Sequence, residues 1–213
     1  MNSNSTQSDP GKRERILNAA VTVFAAKGYQ GATIAAIAGE AGVATGSVYS
    51  YFANKADLLL SVLLDFSCRI NAGVAAKLPG ISDPAQRVRI VFGTFQQLLL
   101  HDPQALAWSR IIGEGIPPHW GHDSRLQSKR QAIEAENRKL VELMDRMIAE
   151  AQQAGSMCPE IKPQVLRQMF GGASQMLLYG LFLQHYRGQA MGYDGGDVVT
   201  AMHALLDRFC TDS

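Results

Sequence analysis

Between residues 45 and 55 the sequence gathers hydroxyl groups beside one cation: Thr45, Ser47, Tyr49, Ser50 and Tyr51, then Lys55. Hydroxyls on one short helix can bond phosphate oxygens or base edges, and Gly46 among them lets a backbone approach a sugar–phosphate chain. Lys55 opens the next helix, where its charge and the local N–H groups suit one phosphate. No Gly-rich phosphate loop, nucleophile elbow or HExxH helix occurs, so no catalytic residue is assigned and enzymatic activity is not expected.

Such a surface needs rigid support, and the flanking residues provide it. Thr33 is placed to N-cap a short helix with Ile34, Ile37, Ala38 and Ala41 on its apolar side, closed by Gly42. Thr45 starts a second short helix carrying Val48, Tyr49 and Phe52. Two short helices across a glycine turn form the helix-turn-helix pattern, in which the second helix enters the major groove of DNA. Ahead of them, Lys12 to Lys27 reads as a helix with Ile16, Leu17, Ala20, Val21 and Phe24 on one face, ended by Gly28. Lys12, Arg13 and Arg15 are candidates for an N-terminal arm on phosphate or minor groove. Asn54 caps a longer helix, about Lys55 to Lys77, with Leu58, Leu59, Val62, Phe66 and Ile70 inward.

Beyond it, helices are predicted from Asp83–Pro84 to about His101, from Pro103 to before Pro117, from Ser124 to Gln153, from Lys162 to Arg187, and a last one led by Asp197. Strand signals are scarce, so the chain reads as all-α with about nine helices. The main seam falls near residue 55. It separates an N-terminal tail and helix-turn-helix domain, 1–54, from a helical domain, 55–213. The stretch Gln168 to Tyr186 carries no formal charge but holds Gln, Ser, His and three Gly; it reads as a helix buried in protein, and no membrane partner is expected.

Composition narrows the classes further. With 46% apolar and 18% charged residues the chain can bury a core, which excludes a mostly disordered protein. A net charge of +1 excludes a polycation, and residues 1–60 hold five basic against four acidic side chains, so non-specific DNA affinity should be modest. Three widely spaced Cys (Cys68, Cys158, Cys210) make no disulfide framework, and the polar N-terminus lacks a signal-peptide core. The expected location is the cytoplasm. His119, His122 and Asp123 make a weak metal pattern that is set aside, as is Cys158 as an oxidant sensor; no metal or cofactor is expected.

The run TIAAIAGEAGVATGSVYSYFANKADL, residues 33–58, resembles the TetR family of one-component transcriptional regulators. The matching positions are Thr33, Ile34, Ile37, Ala38, Ala41, Gly42, Val43, Gly46, Val48, Tyr49, Tyr51, Phe52, Lys55 and Leu58. The preceding helix with its Gly28–Tyr29 exit is similar too, so the specific resemblance covers about residues 12–60. It implies that Thr33 bonds a phosphate, that Ala44, Thr45, Gly46 and Ser47 approach the bases, that Tyr49 and Tyr51 bond backbone phosphates, and that Lys55 adds a charged contact. Tyr51 stands where many members carry His, and small Thr45 and Ser47 offer no bidentate base reader.

A single short recognition helix reads few base pairs, so a homodimer on paired half-sites is expected. The last two helices are the candidates, with Gly172, Met176, Leu183, Met202, Leu205 and Phe209 at the interface and Gly171 and Gly180 allowing close approach. The resemblance implies the same pairing, and also a small-molecule pocket within the helices after the DNA-binding part. Phe66, Phe95, Trp108, Asn137, Met144, Met176 and Tyr179 are the candidate lining residues, Asn137 because it interrupts an apolar seam. Together these readings describe a repressor released from its operator, double-stranded DNA, by a small apolar or amphipathic effector. A helical small-molecule binder that has lost DNA binding is the alternative.

Overall fold

A computed structural model of the chain describes residues 10–101 and 124–210. These form eight α-helices: α1 (Pro10–Gly31), α2 (Ile34–Glu40), α3 (Thr45–Tyr49), α4 (Lys55–Lys77), α5 (Pro84–His101), α6 (Gln127–Gln153), α7 (Pro163–Arg187) and α8 (Gly195–Phe209). A 3-10 turn, Ser124–Leu126, leads into α6. The architecture is all-α, and no strand occurs among the described residues. The helix expected from Pro103, together with Trp108 and the His119–Asp123 cluster, lies outside them.

Local chemistry sets most helix ends. Gly28 at φ 66° breaks α1 after Lys27, as its sequence position predicts. Thr33 Oγ1 accepts from the Ala36 N–H at 3.1 Å and starts α2. Gly42, at φ 63°, ends it in a left-handed turn: the Val43 N–H reaches the Ala38 carbonyl at 3.0 Å and the Gly42 N–H the Gly39 carbonyl at 3.2 Å. That pair satisfies two otherwise orphaned carbonyls, and an L side chain at Gly42 would strain it. Asn54 Oδ1 accepts from the Asp57 N–H at 2.9 Å, and Asp57 Oδ2 reaches back to the Ala53 N–H at 2.9 Å, fixing the start of α4. At α8 the sequence reading is corrected. Asp194, not Asp197, is the N-cap, and the two acids form a reciprocal capping box at 3.0 and 2.9 Å.

The buried side chains fall into two main groups. Ile16, Ala20, Phe24, Ile37, Val48, Phe52, Leu58 and Leu59 centre the first, which extends along α4 to Leu63. Val88, Phe92, Met147, Ile148, Phe170, Val198, Met202 and Leu206 centre the second, among α5 to α8. A small group, Phe66, Ile70 and Leu178, lies farther along α4. So α4 serves both halves: its first turns complete the N-terminal core and its later turns the C-terminal one. It is also long and apolar enough to cross a membrane by length and composition, but half of that stretch is buried in the fold, which accounts for its composition.

Long helices are tied laterally by ion pairs. Arg87 of α5 meets Glu150 of α6 at 2.8 Å, Arg89 of α5 meets Asp207 of α8 at 3.0 Å, and Arg167 of α7 meets Asp145 of α6 at 2.7 Å. The Arg167–Asp145 pair is the most sheltered of the three, so it is the least screened by salt.

Candidate functional site

The candidate recognition surface is built on one anchor. Val48 of α3 is fully buried against Ile37, Ala38 and Phe52, which turns the opposite side of α3 outward. On that side Ala44, Thr45 and Gly46 are exposed, Ser47 is half-buried, and Tyr49 is 55% exposed. Nothing lies within 4 Å of the place a Gly46 side chain would occupy, so the backbone there is open to an approaching surface. Thr33, exposed at the start of α2, spends its oxygen as acceptor in the cap, a role that leaves its hydroxyl proton to donate.

Three residues of the expected set also make contacts within their own chain. Ser50 Oγ donates to the Gly46 carbonyl at 3.2 Å, so as placed it can only accept from outside its own helix. Tyr51 is half-buried against the N-terminal core, its ring 6.4 Å from Phe52. Lys55 is already engaged. Its ammonium donates to the Tyr29 carbonyl at 2.7 Å and the Ala32 carbonyl at 2.7 Å, and it stands 4.5 Å from the centre of the Tyr29 ring. Those carbonyls end the first helix, so the cation complements their partial negative charge. Burial lowers the Lys55 pKa from its ordinary value. A phosphate contact from Lys55 therefore shares an ammonium with a structural cap. Lys12, Arg13 and Arg15 belong to the first turns of α1 rather than to a free arm, and Arg13 lies 5.6 Å over the Phe52 ring.

The C-terminal half holds two adjoining cavities that share Phe95, Leu140 and Val141. One, of about 200 Å³, lies between α4, α5 and α6 and is lined by Phe66, Ser67, Ile70, Ile133 and Asn137. The other, of about 330 Å³, lies between α5, α6 and α7 and is lined by Phe92, Met144, Arg167, Gly171 and Gln175. Of the expected lining residues, Phe66, Phe95, Asn137 and Met144 are at these walls. Asn137 does not point alone into an apolar space: its Oδ1 accepts from Ser67 Oγ of α4 at 3.0 Å. Tyr179 lines neither cavity and stacks on Phe182 at 5.9 Å. Met176 is 69% exposed, so it is not a pocket residue of the single chain.

The expected interface residues divide. Val165, Met169, Gly172 and Met176, at steps of four, three and four, make an uncovered stripe along α7, with half-buried Leu183 farther along the helix. No neighbouring atom lies within 4 Å of a side chain built at Gly171 or Gly172. Met202 is a correction: it is 1% exposed and packed in the chain's own core, because α8 turns its apolar face onto α5 and α7. Leu205 and Phe209 also pack on that core, Phe209 edge-on to Phe170 at 5.8 Å. Gly180 is a second correction. A side chain there would collide with the Tyr193 hydroxyl, which bonds the Leu177 carbonyl at 3.0 Å, so the glycine makes room for this chain's own loop.

Sequence reasoning found the connection through α4 and missed a second one through α6. Leu126, just before α6, is buried in the N-terminal core. One turn on, the Lys129 ammonium binds the Asp57 carboxylate and Ser61 Oγ, the latter at 2.6 Å. Ile133 then touches that core and lines the smaller cavity, followed by Asn137. Asn71 Nδ2 adds bonds to the Glu136 carbonyl and carboxylate at 2.9 and 2.8 Å. The signal was the upstream extension of the α6 seam, Leu126–Lys129–Ile133–Asn137. No metal-type cluster occurs among the described residues. Burial pushes the Cys68 and Cys210 thiols up, with Glu136 and Asp65 adding to the shift at Cys68, away from reactive thiolate.

Comparison with known proteins agrees with this geometry. Residues 16–62 match the sequence model of the bacterial regulatory proteins of the tetR family. The HTH-type transcriptional regulator BetI of Cronobacter sakazakii is 30% identical over 125 residues, 57% of this chain and 62% of that protein. The fatty acid metabolism regulator protein of Bacillus subtilis is 47% identical over 51 residues, 24% of this chain and 26% of that one. The chain thus spans less than two thirds of the length of the curated relatives it matches. The fatty acid degradation regulator FadR of Bacillus halodurans shares the fold, with a TM-score of 0.70 at 24% identity over 94% of this chain and 96% of that one.

Proposed function

We propose that the protein is a DNA-binding transcription regulator, a cytoplasmic homodimer that represses from its operator and is released by a small apolar or amphipathic effector. The observation that carries the reading is the α3 face, where Thr45, Gly46, Ser47 and Tyr49 stand outward on a helix anchored by Val48, within the segment that matches the tetR family. Thr33, Ala44, Ser50, Tyr51 and Lys55 complete the proposed contact set. The uncovered stripe on α7 is the proposed dimer face, where a second copy would sit two recognition helices on half-sites about 34 Å apart or a multiple of that.

The division at residues 54 and 55 marks the start of the shared helix, and that sharing supplies the mechanism. An effector in the α4–α5–α6 cavity would lie against the bonded pair Ser67 and Asn137, while the same face of α6 reaches the N-terminal core through Ile133, Lys129 and Leu126. A ligand that prefers a wider spacing of α4 and α6 must, by linkage, weaken binding to a fixed half-site spacing, typically by about 1–3 kcal/mol. Light scattering on the protein alone and on a duplex at low ionic strength tests this. Two chains per particle in both states support it; a monomer, or no complex, overturns it.

A further inference from the structure

The Asp57 carboxylate is divided between two parts of the molecule. Its Oδ2 accepts from the Ala53 N–H at 2.9 Å, in the turn between α3 and α4. Its Oδ1 takes the ammonium of Lys129, on α6. Lys129 also donates to Ser61 Oγ at 2.6 Å, and Ser61 Oγ donates to the Asp57 carbonyl at 2.8 Å. One cation of α6 thus grips the start of α4 at the carboxylate that fixes the exit from α3. The two side chains are only 26% and 16% exposed, so the pair is weakly screened. The local cap does not require Lys129, because Asn54 Oδ1 and Asp57 Oδ2 make it between them.

The same face of α6 reaches the smaller cavity. Lys129, Ile133 and Asn137 stand at steps of four and share one side of the helix. Ile133 and Asn137 line the cavity, and Asn137 holds Ser67 Oγ of α4 at 3.0 Å. Asn137 is about 12 Å along the helix from Lys129. When α6 draws away from α4, the carboxylate cannot keep both of its donors. A bond charged on both sides outlasts one to a neutral amide, so Asp57 follows Lys129 and releases the Ala53 N–H. The turn behind α3 then loosens.

We infer that Lys129 is a positioning residue for the α3 face: through the Asp57 carboxylate it passes the state of the α4–α5–α6 cavity to the turn behind α3. This rests on the effector reading above and names its route. A side chain can stand in for the effector, since Ser67→Phe puts a ring between α4 and α6 at the cavity wall. The test is a cycle of full-length variants, Ser67→Phe, Lys129→Met and both, titrated with a duplex selected from a random pool by the unsubstituted protein. Ser67→Phe should weaken binding about tenfold on its own and less than about twofold beside Lys129→Met. Hydrogen exchange at the Ala53 amide, read without DNA, should quicken on Ser67→Phe only while Lys129 is present. Asn137→Phe takes the place of Ser67→Phe if that variant fails to fold. A ring effect on binding or on Ala53 that survives Lys129→Met overturns this inference and leaves the effector reading standing, with α4 alone as its route. No effect of either ring overturns both. Failure to bind any duplex, with Ala53 exchange as expected, overturns the DNA-binding reading and leaves this contact chain supported.

Discussion

The two halves of the chain meet on α4 and are finished differently. The helix-turn-helix half closes its apolar surface on itself: Phe24, Ile37, Val48, Phe52 and Leu58 are sealed, and what faces outward on α3 is hydroxyl and glycine. The C-terminal half leaves apolar surface open twice, along the α7 stripe of Val165, Met169 and Met176 and in the cavities around Phe95. A closed core with a polar face suits docking on a polyanion, where wet polar contacts are the rule. Open apolar surface is stable only when something covers it. On the proposed function, the first half carries recognition and the second is completed by what it binds.

Phe52→Ala breaks the comparison on its closed side and carries the largest expected effect. It should cost about 3–5 kcal/mol and remove hydrogen-exchange protection from α1 to α3 while α6 to α8 keep theirs. Equal loss in both halves would mean that α4 makes them one cooperative unit. The open side is broken by Met169→Asp combined with Met176→Asp. Dimerisation should weaken on the order of a hundredfold by light scattering, with little change in the melting of each chain. Lys129→Met cuts the join between the halves. It should cost about 1–2 kcal/mol, because the pair with Asp57 is partly buried, and should raise hydrogen exchange at the start of α4. The smallest effect sharpens the closed side. Lys55→Met should lower stability by about 1 kcal/mol through its lost bonds to Tyr29 and Ala32, and lower the salt dependence of DNA binding by about one counterion per subunit. An unchanged salt slope would assign Lys55 wholly to capping.

What the sequence shows plainly is what acts over a few residues. Thr33, Gly42 and Asn54 do their work within five positions of themselves, so residue type and spacing reveal them. The helix-turn-helix is legible because its core needs small residues at fixed steps and its exit needs a glycine. The remainder depends on partners far away in the chain. Lys129 and Asp57 are 72 residues apart, and nothing near either names the other. Gly180 looks like a site of helix approach until Tyr193 is seen lying over it. Met202 and Met176 are both apolar positions on late helices, yet one is core and the other surface, because the faces that α7 and α8 turn inward are decided by the distant elements they pack on. Asp194 and Asp197 both fit an N-cap pattern, and the capping box uses the two together.

The central claim is that α3, held outward by Val48 and presented twice by a paired scaffold, docks in duplex DNA. Selection of bound fragments from a random duplex pool at low ionic strength, with no effector added, tests it most directly. The account predicts recovery of an inverted repeat whose two halves share one short sequence at a fixed separation. Recovery of no enriched sequence, or of single unpaired half-sites, would contradict it.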